Sequence, residues 1–441
     1  MTFAALGLSE PLLSTLAGLA YKMPTAVQQQ AIPAVLAGRD VLAAAQTGTG
    51  KTAAFALPIL QRLAAEPTPV AESQVRALVL VPTRELAEQV MESFRQYGAG
   101  LPLSVYAAYG GVNLGPQLTR LQSGVDVLVA TPGRLIDLFT KGAVKFRELR
   151  TVVLDEADRM LDLGFANDLD ILFSALPRQR QTLLFSATFP PAIGDLAGKR
   201  LSKPLRIEAA PRNTAAKTVR QWVVPVDKKR KCELFLFMRK DRGWKQVLVF
   251  VKTKKGCDEL VERLAARQIP ADTIHGDRPQ ASRLKALEDF KAGVVEVLVA
   301  TDVAARGIDI DGLPQVVNFD LPLQAEDYVH RIGRTGRAGQ AGEAISFVAA
   351  DEAPLLAAIE TLLKKPLSRD EEPGFEPKHN VPPTVPLAQA KPRPAAGAVK
   401  TKAGGRSGPS NWVGFDDFGE KRPGRRGPAV GRKPTAKARG R

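Results

Sequence analysis

Cysteine is nearly absent: Cys232 and Cys257 are the only two among 441 residues. Two thiols cannot build a disulfide framework, and neither sits in metal-ligand spacing, so a reducing cytoplasm and two ordinary packing residues are expected. No apolar run reaches about eighteen residues, which removes a membrane-spanning helix. No Lys or Arg precedes Lys22, and Glu10-Pro11 interrupts the first apolar stretch. That pattern predicts an amphipathic first helix rather than a secretory leader. What the chain has in excess is positive charge, +16 net with a pI near 9.9. Such self-repulsion points to a polyanionic partner, nucleic acid or an acidic membrane face. The length exceeds one ordinary core and predicts two or three domains.

Short β-rich runs alternate with helical patterns. DVLAAA (40 to 45), ALVLV (77 to 81), DVLVA (126 to 130), TVVL (151 to 154) and TLLFS (182 to 186) come first. After a Pro-containing break, QVLVFV (246 to 251), ADTI (271 to 274), EVLVAT (296 to 301), QVVNF (315 to 319) and EAISFV (343 to 348) follow. Continuous apolar strands between helices indicate parallel sheets covered on both faces. The expectation is therefore two α/β lobes, residues 1–207 and 219–370, joined by a linker at 208–218. The word VLVAT occurs in both, at 127–131 and 297–301, which suggests lobes of shared ancestry. Residues 371–441 form a basic, low-complexity tail with 15 Lys or Arg against 6 acids, and residues 377–441 are expected to be disordered. Charge of this kind condenses on phosphates, and NWVGFDDF (411 to 418) inside it offers rings to stack on bases or dock on a protein.

The chemistry-bearing words are few. AAAQTGTGKTAAF (43 to 55) follows a strand and opens a helix, as a phosphate-binding loop does. Gly48 and Gly50 let backbone N–H groups close on phosphates, Lys51 neutralises the outer ones, and the Thr52 hydroxyl suits Mg²⁺. Ala45 stands where the pattern has its first glycine. Asp155-Glu156-Ala157-Asp158 follows TVVL at a strand's C-terminal end, where open α/β sheets bind ligands. Alone it reads as a solvated helix start. Beside the loop it reads as Asp155 for Mg²⁺ and Glu156 to orient and deprotonate the attacking water, hence nucleoside triphosphate hydrolysis. The second lobe lacks a phosphate loop and carries HRIGRTGRAG (330 to 339) instead. Arg331, Arg334 and Arg337 are either a salt-bridge network or arginine fingers that reach the γ-phosphate on closure.

With these words in order, residues 1–370 resemble a DEAD-box RNA helicase, most like the bacterial RhlE-type branch through PRNTAAKTV and ETLLKKPLSRDEEPGFEP. The resemblance implies two tandem RecA-like lobes and the cofactors ATP and Mg²⁺. It also implies roles at matching positions. Phe3, Tyr21, Thr25 and Gln28 would read adenine, with Ala26 where the family usually has Pro. Ala45, Gln46, Thr47, Gly48, Thr49, Gly50, Lys51 and Thr52 would hold the phosphates, and Asp309 the ribose. Lys51, Asp155, Glu156, Arg334 and Arg337 would be catalytic, with Thr52 and Asp155 on Mg²⁺. Thr83, Arg84, Gly111, Thr131 and Arg134, with Thr253, Gly276 and Thr301, would grip RNA by its backbone. Ser186, Thr188, Asp158 and His330 would couple hydrolysis to strand opening. The activity implied is RNA-stimulated ATP hydrolysis that opens short duplexes with little sequence specificity, on ribosomal particles or with RNA-decay proteins, and with no membrane partner. The rival readings are a DNA translocase of the same superfamily and an RNA-annealing scaffold dominated by its tail.

Overall fold

The computed structural model describes residues 2–45, 49–66, 68–208, 219–305, 312–336 and 342–382. Glu10 and Pro11 open the first α-helix, Glu10–Gly18, which buries Leu12 and Leu16. Proline suits that first turn because its missing N–H has no intrahelical partner there.

Lobe one holds β1 (Val41–Ala44), β2 (Val75–Leu80), β3 (Val105–Ala108), β4 (Val125–Ala130), β5 (Thr151–Leu154), β6 (Gln181–Ser186) and β7 (Leu205–Glu208). Lobe two holds β8 (Val219–Pro225), β9 (Val247–Phe250), β10 (Ala271–Ile274), β11 (Val297–Ala300), β12 (Gln315–Asn318), β13 (Gly342–Val348) and β14 (Ser368–Arg369). Among the described residues each sheet has seven strands, ordered β3-β4-β2-β5-β6-β1-β7 and β10-β11-β9-β12-β13-β8-β14, and the pairings are parallel. Adding seven to a strand's number in the first order gives the second order throughout. The lobes repeat one topology.

The repeated VLVAT occupies β4 and β11, which hold the same place in the two sheets. Val127 and Val129 pack into one core layer of lobe one, Leu128 and Ala130 into the layer on the sheet's other face. Val297 and Val299, then Leu298 and Ala300, divide in the same way in lobe two. Each fully buried Val or Leu of this kind contributes about 1.5–3 kcal/mol of transfer free energy. That is why a two-sided apolar run reads as a central parallel strand.

The chain stays packed past residue 370. Asp370 donates its N–H to the Val223 carbonyl (2.9 Å), and the Phe375 ring meets Phe237 at 5.4 Å under the Arg230 guanidinium. Arg369 donates to the carbonyls of Val381 (3.0 Å) and Pro382 (3.1 Å), and Val381 is buried. Disorder was expected from residue 377, and over residues 377–382 that expectation is corrected. A few apolar contacts and a half-buried arginine fork outweigh an unpromising composition. Residues 383–441, with the NWVGFDDF island, lie outside the described residues, as does 209–218 of the linker.

Candidate functional site

The phosphate loop leaves β1 and enters the helix Lys51–Ala64 through Gly50 at φ 85°, a left-handed turn that glycine makes without strain. A Cβ on Gly50 would overlap the Gln28 side-chain amide. That amide donates to the Gly50 carbonyl (3.1 Å), and its oxygen accepts from the Thr25 N–H (2.9 Å). Gln28 is buried and ties the segment at Thr25, expected to read adenine, to the turn that opens the helix Lys51–Ala64. Phe3 packs edge-on to Tyr21, and the Tyr21 hydroxyl pairs with that of Tyr97 (2.9 Å). Gln46, Thr47 and Gly48 lie outside the described residues.

The Lys51 ammonium is buried, finds no hydrogen-bond acceptor among the described residues, and lies 4.0 Å from Asp155. Burial, opposed by Lys51 and reinforced by Glu156, pushes the Asp155 carboxyl up to about 6. Glu156 sits at φ 52°, a strained conformation for a residue with a side chain. Strain held at a helix start aims the carboxylate while the next turn begins. Asp158 accepts from both the N–H and the hydroxyl of Thr188 (2.8 Å each), and the Ser186 hydroxyl donates to the Thr188 carbonyl (2.7 Å). The Ser186 carbonyl accepts in turn from the Ala45 N–H (3.0 Å), joining this group to the phosphate loop.

Lobe two faces the same carboxylates. Glu156, Asp158 and Arg159 line a cleft with Asp327, His330 and Arg334. Burial holds the His330 imidazole below its ordinary range, against the pull of Asp158 and Glu156. Of the three arginines, Arg331 is spent inside its lobe. It forks onto Asp302 (2.5 and 2.7 Å) and donates to Asn318 and to the Asp320 carbonyl. The network reading holds for Arg331, while Arg334 lines the cleft. Arg337 and Asp309 lie outside the described residues.

The residues expected on RNA fall into equivalent pairs. Thr83 and Thr253 cap the helices Arg84–Tyr97 and Lys254–Ala265 just beyond β2 and β9, each hydroxyl accepting from a first-turn N–H (3.3 and 3.0 Å). Thr131 and Thr301 end VLVAT beyond β4 and β11. Gly111 and Gly276 follow β3 and β10. Strands β3, β4 and β2 therefore deliver one set of loops, and their counterparts deliver the other. Arg134 departs from simple expectation: it is 9% exposed on its side chain and donates inward, to Gln117 (2.9 Å) and the Val112 carbonyl (3.1 Å). A contact that the sequence did not suggest joins the lobes directly. Glu85, beside Arg84, accepts from Gln280 (2.8 Å) and Arg283 (2.7 Å) of lobe two, all three being buried.

The DEAD/DEAH box helicase family matches residues 25–196, and the helicase conserved C-terminal domain matches residues 228–339. The chain is 44% identical over 365 residues to the DEAD-box ATP-dependent RNA helicase CshA of Streptococcus pneumoniae, covering 83% of this chain and 69% of that protein. It belongs to the DEAD-box ATP-dependent RNA helicases. The ATP-dependent RNA helicase DeaD of Mycobacterium tuberculosis is 43% identical over 376 residues, 85% of this chain and 66% of the relative. Among solved structures, S. cerevisiae Dbp5 bound to RNA and ADP BeF3 superposes with a TM-score of 0.76 at 31% identity, covering 84% of this chain and 95% of that one. Mss116p bound to ssRNA and AMP-PNP gives 0.74 at 29% identity, with coverages of 84% and 78%. No helix among the described residues is long and apolar enough to cross a membrane.

Mg²⁺, which the family implies, suits this helicase's donor set. A buried carboxyl pushed up to about 6 and a buried ammonium without an acceptor call for a cation and an anion brought together. Among the described residues no cluster of three or more His, Cys, Asp or Glu forms a cage. The titration carries a prediction. In the nucleotide-free helicase Asp155 must lose its proton near pH 6, so kcat/KM for ATP at saturating RNA is expected to fall about ten-fold per unit below that pH. Stability runs the other way. The share contributed by protonated Asp155 is complete below about pH 4, the ordinary carboxylate range, and is lost as pH rises through the folded value. A pH–rate series flat from about pH 7 down to about pH 5 would contradict the assignment.

Proposed function

We propose that this helicase grips one RNA strand by sugars and phosphates across both lobes and opens a few base pairs locally when ATP draws the lobes together. The observation that carries the reading is the pairing of Thr83 with Thr253, Thr131 with Thr301 and Gly111 with Gly276 on equivalent strand ends. Contacts of this type position a strand without reading its bases, so sequence specificity is low. Arg84 and Arg134 add cations to the lobe-one side.

On the nucleotide side, Gln28 reads adenine with Phe3 and Tyr21 beside it, Thr25 supports Gln28, and Ala45 to Thr52 enclose the phosphates. Thr52 and Asp155 hold Mg²⁺, which when bound neutralises charge on the terminal phosphates. Glu156 orients the attacking water and takes its proton. Arg334 and Arg337 approach the transferred phosphate from lobe two, and Asp309 holds the ribose. Ser186, Thr188, Asp158 and His330 relay the state of that site between the lobes. RNA and ATP favour the same closed arrangement, so each tightens the other's binding. We place the protein in the cytoplasm, in ribosome assembly or RNA decay, and in the RhlE-type branch on its linker and residues 360–377.

A second reading, annealing by the tail, is favoured by its 15 cations against 6 acids. Both readings meet one experiment: ATP hydrolysis titrated with RNA and with DNA, by the full chain and by a chain ending at residue 382. RNA but not DNA is expected to stimulate both forms, and the shorter form is expected to need more RNA and to show a shallower salt dependence. Equal stimulation by DNA overturns the RNA assignment. An unchanged salt slope removes the tail from RNA binding.

A further inference from the structure

Gly110 and Gly111 follow β3 at the ligand edge of lobe one, and two glycines have no side chains with which to hold a loop in shape. The carbonyls on either side of the pair are nevertheless tied down. The Tyr109 carbonyl accepts from the Gln117 side-chain amide (3.2 Å), and the Val112 carbonyl accepts from the Arg134 guanidinium (3.1 Å). The same guanidinium donates to the Gln117 amide oxygen (2.9 Å). Both ends of one amide are thus used, one on the loop and one on the arginine that holds the loop's other side.

Gln117 is 4% exposed and lies on the helix Leu114–Gln122, which Asn113 caps. An apolar side chain would serve packing there, as Leu121 does one turn later, so a buried amide must be explained by what it bonds. The surroundings extend the frame. The Tyr109 hydroxyl donates to Glu88, one turn along the helix that begins with Arg84. Gly111 has φ 80°, and a Cβ there would overlap the Arg84 guanidinium. Loop and Arg134 therefore share one hydrogen-bonded support with Gln117 at its centre, and the Arg84 guanidinium packs against Gly111 beside it.

We propose that Gln117 is a positioning residue for RNA: it pins the Tyr109 carbonyl and orients the Arg134 fork, so that the Gly110-Gly111 backbone meets the strand in one fixed conformation. The inference rests on the reading above that this loop touches RNA. The amide is chemically specific for the task. A carboxylate keeps the acceptor for Arg134 but sets two acceptors against each other at Tyr109. A leucine leaves both partners unanswered.

The test uses the full chain with a single-stranded RNA oligonucleotide and measures the RNA concentration for half-maximal ATP hydrolysis, kcat at saturating RNA, and the thermal midpoint. Gln117→Leu and Gln117→Glu are each expected to raise the half-saturating RNA about ten-fold while kcat at saturation stays within about two-fold. Gln117→Glu preserves size, so it keeps the test open if the leucine variant folds poorly. Gly111→Ala, measured in parallel, probes the loop itself. If Gly111→Ala raises the RNA requirement and neither Gln117 variant does, the positioning role is overturned and the loop's contact with RNA stands. If Gly111→Ala also leaves the requirement unchanged, the underlying reading falls and the role of Gln117 falls with it. A loss of kcat and thermal midpoint in step, with no change in RNA requirement, makes Gln117 merely structural and overturns the proposal.

Discussion

Glu156→Gln is expected to bind ATP and RNA as the parent does and to lose turnover by about a thousand-fold, the span of a general base worth about 4 kcal/mol of barrier. The substitution keeps the shape of the side chain and of the left-handed helix start, so the cleft should survive. What disappears is the carboxylate proposed to take a proton from water. Nucleotide binding measured beside phosphate release separates the two effects. Glu156 also raises the Asp155 titration, so the variant should hold Asp155 ionised to lower pH. Steady-state phosphate release close to that of the parent would remove Glu156 from the chemistry.

Arg334→Ala is expected to cut RNA-stimulated kcat by about a thousand-fold, as loss of an arginine finger does, with ATP binding to lobe one little changed. The backbone at Arg334 is held by main-chain hydrogen bonds of its own. Its N–H donates to the Arg331 carbonyl (3.2 Å), and its own carbonyl accepts from Leu313 (3.1 Å). Single-turnover hydrolysis at saturating RNA checks the step directly, and a fall of less than about ten-fold would place Arg334 outside the reacting centre. Arg331 is the contrasting neighbour. Its guanidinium is buried on Asp302, Asn318 and the Asp320 carbonyl, so its removal should unfold the loop network before it reports on chemistry.

Much of this arrangement was legible because the chemistry sits in contiguous words at strand ends. The phosphate-loop pattern, Asp155 to Asp158 and Ser186 to Thr188 each lie within a few residues of a buried apolar run that announces its strand, whereas His330 to Arg334 close the helix Ala325–Ile332 and stand out by their arginine-glycine spacing. Strands at or near the sheet edges were harder. β3 is VYAA, short and rich in small residues, and β7 is LRIE, short and mostly exposed, so neither stands out by hydrophobicity. β14 is two residues long and is defined only by its pairing with β8. Contacts across the fold left no local trace. Glu85 lies inside a charged helical pattern, and nothing near it says that Gln280 and Arg283, 195 residues away for the first, will close on it. Gln117 reads as a surface residue until the sheet brings Arg134 and Tyr109 to its amide. Arg134 shows the limit of the motif itself: the word TPGR places the residue, but neighbouring carbonyls decide where its charge points.

The strand-for-strand repetition of the lobes also sets a length. Under the proposed grip, two copies of one handle would hold a single polymer at two stations, and the stretch of nucleotides between them would have to match the separation of those stations. A helical strand has its own rise per nucleotide. If lobe movement changes the interval between stations, the strand must alter its pitch or let go of its complement. On this view the molecule behaves as a gauge that duplex geometry fails to fit, and no base needs to be recognised for the mismatch to be felt.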